Sequence, residues 1–300
     1  MESPESIAGK KILISVLNWG MGHVSRSIGL IHLLLKKNNT IIIASSAEQI
    51  IVFKEYFPNC TYIHHEGYPF NFKGKGNFSI DLMLQSKSLI HRLKKEKQEV
   101  ESYVEKFSID LVLSDHRYGF YHDNVPSVFI THQLNLPLRW YQKSIQLLHR
   151  KLINNFHSIW VMDSESNQFA GDLSRKNDFS NLVYIGSFSR FMFYDIPKQK
   201  KNHTVYIASG PEIYAKEFVE KFYPKEKNED AILIAPNDDK FTSWKQKDQI
   251  ILSACKIVSR SGYSTIMDAY FLKCETEFIP TKGQAEQEYL AKLNKKNPTS

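Results

Sequence analysis

Cysteine is scarce in this chain of 300 residues. Cys60, Cys255 and Cys274 are odd in number and form no Cys-x-x-Cys pair. That pattern argues against a disulfide framework and against a thiolate zinc site. Long apolar runs are missing as well, and none approaches the ~18 residues that a membrane span requires. The first residues, Met1-Glu2-Ser3-Pro4-Glu5-Ser6, are polar, unlike a secretory leader. These absences lead us to expect a reducing, cytoplasmic setting. Three chemical signatures are also lacking: a Walker loop, a Gly-x-Ser-x-Gly nucleophile elbow and any Asp-x-Asp pair. Their absence removes the nucleotide triphosphatase and serine-hydrolase readings and any carboxylate clamp holding a metal on a diphosphate. No metal site is expected. His64-His65 has no partner at ligand spacing and reads as a strand end.

What is present is the composition of a soluble globular protein, 42% hydrophobic and 24% charged. The net charge of +7 is uneven: residues 1–200 hold 24 basic and 18 acidic side chains, and residues 201–300 hold 15 and 14. The basic excess of the first part suits an anionic partner such as phospholipid headgroups or a phosphorylated acceptor; solubility alone would also account for it. The stretch 87–97, with Arg92 to Lys97 and interspersed Leu89, Ile90 and Leu93, could lie on a membrane surface, as could Leu138 to Lys143; a solvated helix face is the other reading of each.

Short β-branched runs alternate with helix-length segments. Strands are expected at Lys11–Leu17, Thr40–Ala44, Thr61–His64, Ile109–Leu113, Ser127–Thr131, Ile159–Met162 and Leu182–Ile185. After the polar stretch 196–203 they resume at Thr204–Ala208, Ala231–Ala235, Lys256–Val258 and Glu277–Ile279. Helices are expected between them, including Ser79–Phe107 and Leu138–Phe156. This alternation implies parallel sheets with right-handed crossovers, and a boundary giving domains 1–195 and 196–300. In such sheets ligands bind beyond the carboxyl ends of the strands.

Loops at those ends hold the candidate chemistry. Gly20-Met21-Gly22-His23 follows the first strand and opens a helix. The glycines allow a ligand to approach the backbone, and Ser25 stands where a dinucleotide fingerprint needs another glycine. His23 is a candidate general base, or a residue packing the turn. Asp115 could orient His23, touch an acceptor hydroxyl, or simply form a turn. His132-Gln133 is a further candidate. Arg260-Ser261-Gly262-Tyr263-Ser264-Thr265 leads into a helix whose unpaired N–H groups suit a phosphate, and Asp268 is placed to accept from ribose hydroxyls. Gly283-Gln284-Ala285-Glu286-Gln287 brings polar side chains to another helix start. Together these suggest a nucleotide bearing a hydroxyl-rich group such as a sugar.

The Gly-x-Gly-His loop, Ser209-Gly210-Pro211-Glu212, the 259–268 segment and Gly-Gln-x-Glu-Gln, in that order, resemble GT-B glycosyltransferases of the family-28-like group. That group includes the bacterial enzyme that adds N-acetylglucosamine to the lipid-linked cell-wall precursor. The resemblance implies an α/β fold of two Rossmann-like domains facing a cleft, here with a short C-terminal domain. It implies inverting, metal-independent transfer from a nucleotide sugar, UDP-linked, to a lipid or glycan acceptor, with no separate cofactor. His23 would be the base or a stabiliser of the transition state; Asp115, from its place at the strand end, is the second catalytic candidate. Gly20, Gly22, Ser209, Gly210, Arg260, Ser261, Gly262, Ser264, Thr265, Asp268, Gln284, Glu286 and Gln287 would hold the donor. Peripheral membrane binding is expected at the basic N-terminal part, and nucleic acid is not expected as a partner. Two other functions fit the same fold: a nucleotide-sugar 2-epimerase and a non-catalytic nucleotide-sugar-binding subunit.

Overall fold

The computed structural model describes residues 3–69, 86–138, 143–176, 179–226, 229–236, 241 and 243–296. The first half of the chain builds a seven-stranded sheet. Its strands are β1 (Lys11–Val16), β2 (Thr40–Ser45), β3 (Thr61–His64), β4 (Leu111–Asp115), β5 (Ser127–Thr131), β6 (Ser158–Val161) and β7 (Leu182–Tyr184). The order is β3-β2-β1-β4-β5-β6-β7, all parallel. β1, β4 and β5 are buried on both faces, which is why they read as unbroken apolar runs instead of alternating ones. Helices α1 (Gly22–Lys36), α2 (Ala47–Tyr56), α3 (Ser86–Phe107) and α4 (Lys143–Ile153) belong to this half. A capping box of Ser46 and Gln49 starts α2. Residues 79–85 and 139–142 of the expected helices lie outside the described residues.

A short 3-10 turn at Arg190–Phe193 precedes the second sheet. Its strands are β8 (Thr204–Ile207), β9 (Ala231–Ile234), β10 (Lys256–Arg260) and β11 (Glu275–Ile279), in the order β11-β10-β8-β9, again all parallel. The helices here are α5 (Glu212–Phe222), α6 (Trp244–Ser253), α7 (Tyr263–Leu272) and α8 (Ala285–Lys296). α7 ends at Lys273, which takes the left-handed conformation (φ 48°) of a helix C-terminus.

Strand order fixes where the loops gather. In the first sheet the order reverses between β1 and β4; Val16 pairs with Asp115, and Asp115 with Ile130. The ends of β1, β4 and β5 therefore lie side by side. In the second sheet the reversal falls between β8 and β10, where Ser259 pairs with Ile207. These are the two crevices in which open α/β sheets take ligands. The two carboxyl edges also meet each other. Tyr263, Ile266, Met267 and Leu290 join the same core cluster as Ile12, Ile14 and Val24.

Candidate active site at the meeting of the two sheets

Four neighbouring side chains form the charged centre on the first sheet. Arg26, on the second turn of α1, is buried. Its guanidinium forks onto Asp115: Nε donates to Oδ2 at 2.9 Å and Nη2 donates to Oδ1. Ser27 Oγ adds a bond to Oδ2 at 3.3 Å. Nη1 of Arg26 lies 2.7 Å from His132 Nδ1, and Nη2 lies 2.8 Å from His23 Nδ1. His23 Nδ1 is also 3.1 Å from Asp115 Oδ1. His116 lies edge-on to His23, with ring centroids 5.5 Å apart.

The electrostatics follow from this packing. Burial pushes the Asp115 carboxyl up, but Arg26 and His23 outweigh it and hold Asp115 well below the usual carboxylate range. Burial, then the Arg26 charge, lowers His23 against the opposing pull of Asp115 and Glu286. Burial, then the charges of His23 and Arg26, holds His116 well below its usual value. Both rings are therefore neutral near pH 7. Asp115, His23 and His116 bring ligand atoms within 4.8 Å of one another. The positive charge at that point is already supplied by Arg26, which engages both Asp115 oxygens.

The second sheet contributes the start of α7. Gly262 is its N-cap and no side chain caps the first turn. A Cβ built on Gly262 would meet only Thr265 Oγ1, at 4.0 Å, so the space in front of this helix end is open. Ser264 Oγ donates to Gly22 O at 2.7 Å, which brings the uncapped starts of α1 and α7 together. Gly20, at φ 98°, makes the turn into α1, a conformation that suits glycine. Ser209 and Gly210 are exposed in the loop after β8, beside this end. From the last helix, Glu286 Oε1 lies 2.9 Å from His132 Nε2, and His132 stacks on Tyr263 at 4.0 Å. Burial raises Glu286, but the hydrogen bond and charge of His132 bring it below its usual value. One chain of contacts thus runs from Glu286 on the second sheet's side to His23 on the first.

Several donor-site candidates are engaged by other residues of the chain. Asp268 faces α1 and the 3-10 turn. Its Oδ2 accepts from Arg190 Nη1 at 2.7 Å and its Oδ1 from Ser189 Oγ at 2.5 Å, with Ser25 Oγ at 3.5 Å. Burial raises its carboxyl despite Arg190. A ribose could reach it only by displacing these partners. Helix phase explains the placement: Ser264 and Asp268 are four residues apart, and both face α1. Ser261 is buried and donates to Gln287 O at 2.8 Å, so it anchors α8. Gln287 Oε1 accepts from Thr281 N at 2.8 Å. Arg260 turns back into its own half, donating at 3.2 Å to Pro280 O and to Tyr214 O. Thr265 is half-buried and Gln284 is exposed at the start of α8.

Sequence reasoning missed Arg26 and Arg190. Arg26 is the only charged residue between Gly22 and Leu35, and a lone charge on an apolar helix was the signal that could have found it. Arg190 also donates to Asp248 Oδ1 at 2.6 Å and to Ser25 Oγ at 2.5 Å, while Tyr56 OH donates to Asp248 Oδ2 at 2.6 Å. This network ties α1 and α2 to α6 and α7, and no local pattern announces it. The Arg92–Lys97 cluster is less basic outside than it reads. Arg92 is buried and bonds Glu99 at 2.8 Å, and Lys97 bonds Asp123 at 2.7 Å. No helix among the described residues is long and apolar enough to cross a membrane.

No family model matches the chain, and no curated protein matches it. Solved structures do. Acinetobacter baumannii MurG is 8% identical, with 96% of this chain and 84% of that chain covered at a TM-score of 0.53. The spinosyn rhamnosyltransferase SpnG complexed with thymidine diphosphate is 10% identical, covering 95% and 91% at 0.55. LpCGTa in complex with UDP is 11% identical, covering 97% and 84% at 0.56. The fold is GT-B. Two parallel sheets with apposed carboxyl edges are what this GT-B chain shares with these glycosyltransferases. The expected fold class is thereby found; the domain boundary at 195/196 and the roles of the site residues rest on other tests.

Proposed function

We propose that this protein is an inverting glycosyltransferase that needs no metal and moves a sugar from a UDP-linked donor to a lipid or glycan acceptor. The observation that supports this most is the junction of two uncapped helix starts, at Gly22 and Ser264, beside the His23–Asp115 pair. Helix starts favour a diphosphate through their free N–H groups and dipoles. The diphosphate is the leaving group of such a transfer, so the same N–H groups stabilise the charge that develops on it. His23, across the junction, takes the proton of the acceptor hydroxyl as it attacks the anomeric carbon. In that step Asp115 holds the ring in the tautomer that carries its proton on Nδ1. SpnG and LpCGTa were solved with a thymidine and a uridine diphosphate respectively, so both nucleotides belong in the binding test.

The donor seat lies in residues 201–300. Because Asp268 is engaged by Arg190, the nucleotide either parts α1 from α7 or binds without this carboxylate. The acceptor side is the first half. α4 displays Leu147 (66% exposed) and Leu148 (56%) among Lys143, Arg150 and Lys151, a face suited to an anionic membrane surface. Transfer or slow donor hydrolysis is the assay. His23→Ala is expected to lower turnover by ~10²–10⁴-fold while UDP affinity stays within twofold, about the range a positioned base contributes. Full turnover in a folded His23→Ala protein overturns the assignment.

A further inference from the structure

Arg26 donates and never accepts, and this decides the protonation of the rings it touches. Its Nη1 reaches His132 Nδ1 at 2.7 Å and its Nη2 reaches His23 Nδ1 at 2.8 Å. Each of these nitrogens must therefore offer a lone pair, and each neutral ring carries its proton on Nε2. For His132 the far side agrees, since Nε2 lies 2.9 Å from Glu286 Oε1, an acceptor. His23 has a rival arrangement. Its Nδ1 is 3.1 Å from Asp115 Oδ1, and a proton on Nδ1 would point there. The two arrangements exclude each other, because one nitrogen of a neutral ring cannot both donate to Asp115 and accept from Arg26. The Arg26 contact is shorter and comes from a charged donor whose Nε is held on Asp115 Oδ2 at 2.9 Å and whose Nη2, shared with Asp115 Oδ1, sits between that oxygen and the ring.

We infer that Arg26 is the positioning residue that sets the tautomer of His23, holding it with Nε2 protonated and Nδ1 bare. In that state the ring meets the cleft as a hydrogen-bond donor, suited to a phosphate or hydroxyl oxygen. Accepting a proton at Nε2 requires the other tautomer, with Nδ1–H on Asp115 and the Arg26 Nη2 donor withdrawn. The exchange leaves the proton count of the ring unchanged: Nε2 gives one proton to cleft water and Nδ1 takes one from it. Arg26 therefore governs when His23 can be a base, a consequence that rests on the base assignment above. The tautomer assignment rests on geometry alone. The charged and titratable groups around His23 are Arg26 on α1, Asp115 and His116 at the end of β4, His132 after β5 and Glu286 on α8.

Long-range proton–nitrogen NMR on the ¹⁵N-labelled full chain at neutral pH reads the tautomers directly, with His23→Gln and His132→Gln assigning the rings. Both rings are expected to show a bare Nδ1 and a protonated Nε2 in the wild type. In Arg26→Met, His23 is expected to switch to Nδ1–H. A protonated Nδ1 on His23 in the wild type overturns the inference, as does an unchanged ring in a folded Arg26→Met protein. If Arg26→Met does not fold, the wild-type spectrum remains the deciding result. Loss of the Arg26 charge should also move the acid limb of the donor-hydrolysis pH profile upward, since a nearby cation disfavours imidazolium. The expected tautomers with an unmoved limb would uphold the role of Arg26 and overturn His23 as the base.

Discussion

The two halves of the molecule share an architecture and differ in how they are held. β1, β4 and β5 of the first half are shielded on both faces, whereas β8, β9 and β11 of the second are mostly half-exposed. Lys256 even pairs at the protein surface with Glu275 at 3.2 Å and Glu277 at 3.3 Å, on the strands β10 and β11. The most deeply buried part of the second half is α7, with Tyr263, Ile266 and Met267 in the core of the first. The small sheet leans on the large one, and the surface it leans with is the helix whose start carries the proposed donor seat. In this chain the helix proposed to seat the nucleotide is also the interdomain brace.

The largest effect should come from separating the halves. Residues 201–300 alone would expose the buried face of α7 and are expected to show no cooperative thermal transition by circular dichroism. A sharp transition in that fragment would mean that the second half closes its own core.

The two buried carboxylates offer a finer contrast. Asp115 belongs wholly to the first half and, among the described residues, has Arg26 as its only ionic partner besides His23. Asp115→Asn leaves Arg26 buried and unbalanced, and breaking such a pair costs about 3–5 kcal/mol. Asp268→Asn should cost clearly less in urea unfolding, because Arg190 keeps Asp248. Their pH dependences oppose each other. The folded value of Asp115 is depressed, so its stabilisation is complete above the unfolded carboxylate value of about 3.9 and is lost as pH falls below it. The folded value of Asp268 is raised, so protonation there favours the folded state as pH falls toward that range. Acid unfolding should therefore begin at higher pH in Asp268→Asn and be flattened in Asp115→Asn; the reverse order would refute the contrast.

Core truncation should follow the same division. Leu13→Ala in β1 should cost about 2–5 kcal/mol, and Leu233→Ala in half-exposed β9 less than half of that. The smallest effect concerns the contact itself. Tyr263 donates to Met162 O from the second half to the first, and Tyr263→Phe should cost about 0.5–1.5 kcal/mol. Equal costs for the two leucines, or no cost at Tyr263, would weaken the picture of a sheet that leans.

Much of this was legible in the sequence because parallel strands are local, apolar and β-branched. All eleven strands appear within two residues of where the runs Lys11–Leu17 to Glu277–Ile279 place them. The glycine loops were legible for a similar reason, since a strand, a small-residue turn and a helix are contiguous. The partners distant in sequence were not. Arg26 and Asp115 are 89 residues apart, and Arg190 and Asp268 are 78 apart, so only the packed chain shows that one carboxylate belongs with His23 and the other with an arginine brace. The motif gives the sequence position of Asp268 but not its partners, and those depend on which way that face of α7 turns.

The open start of α7 is the proposed diphosphate seat, and one substitution there is decisive. Gly262 has an ordinary φ of −74°, and an added Cβ would meet only Thr265 Oγ1 at 4.0 Å, so Gly262→Val should fold with no more than the modest loss of an apolar residue at a helix N-cap. Calorimetric titration with UDP, and with thymidine diphosphate alongside, is expected to show binding to the wild type and at least a tenfold loss in Gly262→Val, a difference of about 1.4 kcal/mol. Equal affinity in the two folded proteins, or no nucleotide binding by the wild type, would contradict it.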